Sequence, residues 1–148
     1  MNKFFEFNLN VELGEVFNEC TAYQISIEYL NKALDISKNL PINKYRLVKA
    51  YELRGKSKMF LNDGRQKIKE QNWDHYWKAK KINYWEAIID FSKALEIDPT
   101  DAFLYFWRGF AYEFLEEYQS ALNDLKNSQH LEPKFEMTKT LIEHIESK

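Results

Sequence analysis

The sequence predicts an all-α protein built as a stack of short antiparallel helical hairpins, and three observations predict it. Apolar residues recur at helical spacing nearly throughout the 148 residues, and no segment sustains period-two alternation. Four glycines and three prolines are too few for a turn-rich β architecture. A hairpin signature also recurs: Leu13-Gly14, Arg54-Gly55 and Arg108-Gly109 each sit within a first helix, and Ser26, Ala87 and Ala121 open the matching second helices. A unit this short cannot bury its own apolar face and must lean on its neighbours.

In chain order, the first pair of helices carries Leu13-Gly14 and then the stripe Ile25, Tyr29, Leu30, Ala33, Leu34. Pro41 closes it, because proline lacks the amide donor that a helix needs. The next pair carries Arg54-Gly55 and the stripe Ile89, Phe91, Ala94, Leu95, Ile97, closed by Pro99. Asp101 is placed to cap the following helix. That helix reads Tyr105-x-x-Arg108-Gly109-x-x-Tyr112, and Ala121-x-x-x-Leu125 and Pro133 follow it. Beyond Pro133, Phe135, Leu141, Ile142 and Ile145 make one further amphipathic helix, expected to shield the last hairpin from water. Gly14 to Ser26 and Gly109 to Ala121 are both 12 residues, whereas Gly55 to Ala87 is 32, so the middle unit carries 20 extra residues.

With these residues in place, the chain resembles the tetratricopeptide repeat family. Its unit of about 34 residues is two antiparallel helices with this spacing of small and aromatic residues. The resemblance implies a right-handed superhelical stack of antiparallel helical hairpins, an α-solenoid with a C-terminal capping helix. The chain is then one domain, 1–148, with repeats at 7–41, 48–100 and 101–135, an insertion at about 62–83, and a cap at 136–148. Departures from the family pattern are Ser26 and Leu30 in the first repeat, where alanine and phenylalanine are usual, and Lys58 in place of an aromatic in the second. The late Pro41 predicts a second helix about one turn longer than usual, and Lys58 casts doubt on the end of its own helix.

In this family the first helix of each hairpin lines the concave surface. Carried over, the third repeat presents Phe103, Phe106, Phe110 and Phe114 on one stripe with Trp107 alongside. The first repeat presents Asn8, Val11, Glu15 and Asn18, and the second Lys49, Glu52, Lys56, Met59 and Phe60. A partner in that groove meets charge at one end (Glu15, Lys49, Glu52, Lys56) and rings at the other, which suits an amphipathic helix or an extended segment. Four phenylalanines at such spacing usually mean core, so three covers stand open: the inserted segment folding back, a second copy of the chain, or a separate peptide. A subclass of the family clamps chaperone-tail carboxylates with lysine, asparagine and arginine. This chain has Val11, Glu15, Leu53, Phe103 and Trp107 at those places, which argues against that role.

The insertion interleaves Trp73, Tyr76 and Trp77 with Arg65, Lys67, Lys69, Lys78, Lys80 and Lys81. It predicts an added helix, or lengthened helices framing a larger loop. Basic and aromatic side chains together can hold a phosphate backbone and stack bases, but the plainer reading packs the rings on the stack and leaves the lysines in water. Nucleic-acid binding, or a homodimer in which this segment meets the acidic C-terminal region (82–148) of a second copy, are the rival readings. Charge runs from near-neutral to basic over 65–81 and acidic beyond, with a formal net charge of −2.

A single cysteine, Cys20, excludes an internal disulfide and fits a reducing compartment. The N-terminal run is broken by Glu6, and nothing approaches the ~18 apolar residues that span a bilayer. The expectation is a cytoplasmic protein with no membrane association. His75, His130 and His144 are far apart, no His-x-x-x-His pair exists, and Gly55-Lys56-Ser57 lacks the first glycine of a phosphate loop. No catalytic residue, metal site or cofactor is expected. The function expected is a protein-interaction scaffold whose partner the residues leave unidentified.

Overall fold

The computed structural model describes residues 2–61 and 73–148. These form seven helices: α1 (Lys3–Glu19), α2 (Tyr23–Ser37), α3 (Lys44–Phe60), α4 (Trp73–Ile97), α5 (Ala102–Phe114), α6 (Tyr118–Leu131) and α7 (Glu136–Glu146). No strand occurs among the described residues. Asn2, Asn43 and Asp101 cap α1, α3 and α5 by accepting from the first free amides, and Asp101 takes those of Phe103 (2.9 Å) and Leu104 (3.3 Å). The α1–α2 and α5–α6 turns are alike. Each holds one left-handed residue, Thr21 (φ 61°) or Glu116 (φ 64°), and the next amide returns to Phe17 or Tyr112.

Each hairpin closes on a glycine. A Cβ at Gly14 would lie 2.6 Å from Leu30 Cγ, at Gly55 2.7 Å from Phe91 Cε1, and at Gly109 2.9 Å from Leu125 Cγ. The helices therefore approach more closely than any side chain there permits. Successive first helices touch one another (α1–α3, α3–α5, α5–α7), while each second helix touches the first helices beside it. The closer row of first helices makes the inner, concave side. Apolar residues collect at the three joints, around Phe7, Val11 and Leu30, around Phe91 and Leu104, and around Phe106, Leu125 and Ile142.

Two joints share a polar staple. Arg54 donates to both Asp90 carboxylate oxygens (3.0 and 2.6 Å) and, through Nη1, to Asn31 Oδ1 of the preceding hairpin (2.8 Å). Arg108 repeats this on Asp124 (2.7 and 2.8 Å) and Ser92 Oγ (3.0 Å). At the first joint Ser26, fully buried, donates to the Gly14 carbonyl (2.7 Å) and shares a hydrogen bond with Ser57 Oγ (2.8 Å), which also receives Asn18 Nδ2 (2.8 Å). That network explains a serine where the family prefers alanine.

Two expectations about helix ends are corrected. α2 stops at Ser37 and has 15 residues against 14 in α6. The spare residues before Pro41 form i→i+3 turns at Lys38, Asn39 and Leu40 instead of another α turn. α3 continues past Lys58, whose ammonium lies 3.1 Å from Asp90 and 3.7 Å from Glu86. Of the expected insertion, residues 62–72, with Arg65, Lys67 and Lys69, lie outside the described residues. Residues 73–83 are the first part of α4, which at 25 residues is a lengthened second helix.

Candidate functional site

The inner face runs across α1, α3, α5 and α7, and its two halves differ. On the α1–α3 half, Lys49 pairs with Glu15 across the two helices at 2.6 Å, and Lys56 pairs with Glu52 along α3. Arg46 joins α3 to α1 through Asn8 Oδ1 (3.0 Å). The charged residues expected to greet a partner thus already satisfy one another at a partly exposed surface, where such pairs contribute little stability. Val11 and Met59, expected on this face, are instead fully buried. They point between helices, into the joints.

The α5–α7 half is apolar. Phe106, Phe110, Met137, Thr140 and Leu141 line a groove of about 430 Å³, with Glu136 and His144 as its polar rim. Trp107 sits toward the middle of the face. Its ring meets Phe60 edge-on at 6.0 Å, and Lys56 Nζ stands 4.9 Å above it. The His144 imidazole lies 3.6 Å from the Glu113 carboxylate beside the groove.

The predicted stripe of rings is divided by the fold. Phe110 opens into the groove. Phe106 is only 3% exposed, held 4.9 Å from Phe135 and packed under Ile142 and Ile145, so it forms the floor and is not a free surface. Phe103 is exposed and leans on Phe135 at 5.0 Å. Phe114 leaves the groove altogether and stacks on Tyr84 at 3.9 Å with Trp77 beyond it at 6.1 Å. Two of the four rings, Phe106 and Phe114, are therefore covered within the chain, and the group that seals Phe106 is the C-terminal helix.

Sequence reasoning missed the contribution of α7 to the site. Met137, Thr140, Leu141 and His144 stand 34 residues after Phe103, Phe106, Trp107 and Phe110. That offset, one repeat length, is the signal that would have shown α7 continuing the inner row. It also missed Asp90 and Asp124, three residues after Ala87 and Ala121 respectively.

On α4, Trp73 and Trp77 are exposed, with Tyr76 edge-on to Trp77 at 5.2 Å, and Lys78 and Lys81 face solvent. Lys80, expected as a nucleic-acid or dimer contact, is corrected: it is 5% exposed and donates to the Met59 carbonyl (2.9 Å) and the Leu61 carbonyl (3.3 Å). A cation on the last carbonyls of α3 answers the negative end of that helix. Of the three cations of this segment among the described residues, Lys80 is thus turned inward and Lys78 and Lys81 stay in solvent. Among the described residues no three His, Cys, Asp or Glu side chains gather as a metal site, and no helix is long and apolar enough to cross a membrane.

The tetratricopeptide repeat family model matches residues 91–123, from the later half of α4 through α5 into α6. The whole structure is similar to that of the Arabidopsis OM64 tetratricopeptide-repeat domain, with a TM-score of 0.72 over 99% of this chain and 98% of that one. Sequence identity to that domain is 18%, so the likeness is one of fold. No curated protein matches the sequence.

Proposed function

We propose that this chain, a tetratricopeptide-repeat protein by its repeat and by its fold, is a non-catalytic interaction module that holds a protein segment against its inner face. In this reading it is one domain with repeats at 7–41, 48–100 and 101–135 and a cap from 136. The apolar groove between α5 and α7 carries the proposal. Its walls are Phe110, Met137, Leu141 and Thr140, its floor is Phe106, and Glu136 and His144 stand at its rim.

Such a groove takes one or two bulky apolar anchors of a helix or extended peptide. The Lys56–Trp107 stack and the paired charges of α1 and α3 then meet the polar remainder. Burying a Met or Leu anchor contributes roughly 1.5–3 kcal/mol. The arrangement disfavours a carboxylate clamp, since Val11 and Leu53 are buried and Glu15 is acidic.

The test is selection from a displayed peptide library, followed by titration calorimetry on the enriched peptides. Peptides with apolar anchors three or four residues apart are expected, and Met137→Glu should weaken them about tenfold or more. Met137 is 57% exposed, so this variant leaves the fold intact. Affinity unchanged in Met137→Glu and in Phe110→Glu, yet lost in Lys78→Glu/Lys81→Glu, would replace this reading with one centred on α4.

A further inference from the structure

We propose that the outer face of α1 is a self-association surface, through which two copies of this chain pair about a two-fold axis near Val11. The observation is a register comparison. Ala50 and Ser57 of α3, and Leu104 and Ala111 of α5, stand five residues before and two after their glycines, and all four are sealed within a joint. The same places in α1 are Leu9, half-buried, and Val16, 50% exposed. At the place of the stapling Arg54 and Arg108 stands Leu13, and at that of Asp90 and Asp124 stands Tyr29. The first hairpin thus has the surface of an inter-repeat joint, apolar where the others are polar, with no other hairpin packed on it among the described residues.

The pattern along α1 selects a second copy as the occupant. Phe5, Leu9, Leu13 and Phe17 form a ridge at i, i+4, i+8 and i+12. The ridge reads Phe-Leu-Leu-Phe in both directions about Val11, so a two-fold axis there sets Phe5 against the partner's Phe17 and Leu9 against the partner's Leu13. Ridges of this spacing interdigitate when helices cross at about −50°. Outside the ridge the same axis brings Lys3 opposite the partner's Glu19, two ends of opposite charge in an antiparallel pair. The present surface pair of Lys3 with Glu6, at 2.9 Å, is exposed and yields easily.

The other end of the stack is sealed differently. There α7 closes the last joint by burying Ile142 and Ile145 against Phe106 and Leu125. A like-with-like pairing is closed, since it uses the same face on both copies.

Sedimentation equilibrium of the intact chain, from micromolar to sub-millimolar concentration, tests this. The expected result is a reversible approach to twice the chain mass. Phe5→Glu should weaken it by about tenfold or more. Phe5 is 58% exposed, so the variant keeps its fold, as circular dichroism would verify. Lys3→Glu should weaken the dimer by roughly threefold, and adding Glu19→Lys should restore it. A single monomer mass at every concentration overturns the proposal. So does a dimer that survives both Phe5→Glu and Leu13→Glu, one that is broken by Met137→Glu instead, or a Lys3→Glu loss that Glu19→Lys does not recover.

Discussion

Removing the guanidinium of Arg108 isolates one carboxylate deep in the stack. Asp124 is 2% exposed on its side chain, and Arg108 supplies hydrogen bonds of 2.7 and 2.8 Å to its two oxygens. The pairing is strong enough that the Asp124 side chain raises the guanidinium above its ordinary pKa despite the opposing effect of burial. Breaking a buried pair from one side costs about 3–5 kcal/mol, because the remaining charge has neither water nor a partner. Against a total stability on the order of 10 kcal/mol, Arg108→Ala should therefore be severe.

Urea unfolding followed by far-UV circular dichroism reads this directly. With m about 2 kcal/mol/M, the midpoint should fall by roughly 1.5–2.5 M. Asp124→Ala should cost less, since the Arg108 side chain keeps 21% exposure and can turn toward water. The double variant should be non-additive, with a coupling of about 1.5–3 kcal/mol. Arg108→Met/Asp124→Leu should return close to the parent, as apolar replacement of a buried pair commonly does. Arg46→Ala, which removes only the partly exposed contacts to Asn8 and Glu12, is the control and should cost about 1 kcal/mol or less. A loss below about 1 kcal/mol in Arg108→Ala, or one no larger than in Arg46→Ala, would refute the claim that Asp124 is desolvated and held by this one partner.

Three further outcomes follow from the same structure. Gly55→Ala drives a methyl to within 2.7 Å of the fully buried Phe91 ring, so the α3–α4 hairpin must open. A loss of about 1–3 kcal/mol is expected in urea unfolding, and an unchanged midpoint would show that the ring can move aside. Glu116→Gly should gain about 1 kcal/mol, because its φ of 64° costs an L-residue about that much and glycine nothing; a lower melting temperature would count against this. Asp98 accepts from Thr100 Oγ1 at 2.6 Å and from its amide at 3.1 Å, which holds its carboxyl below the ordinary value. A depressed pKa gives stability that is present above the ordinary carboxylate range and fades as pH falls through the lowered value. The stability difference between the parent and Asp98→Asn should therefore be constant above about pH 5 and shrink as the pH falls below the ordinary carboxylate range. A difference that holds steady across that range would sink the assignment.

The residues alone determined the local structure and the repeat. Helical spacing of apolar side chains, a glycine and a small residue 12 apart in two hairpins, Asp101 as a cap and a proline after each second helix all depend on neighbours within a few turns. Such signals are written locally, so they can be read locally. Which side of each helix is sealed, and by what, was decided only by the assembled stack. Phe106 and Phe110 are four residues apart on one helix, yet α7 covers the first and leaves the second at the groove. Lys80 looks like its solvent-facing neighbours until the end of α3 is set beside it, and Arg54 finds Asp90 at a separation of 36 residues. Periodicity assigns a side chain to a face of its own helix. The identity of what meets that face comes from the angle and order in which the hairpins pack, a property of the whole array that no short stretch of sequence contains.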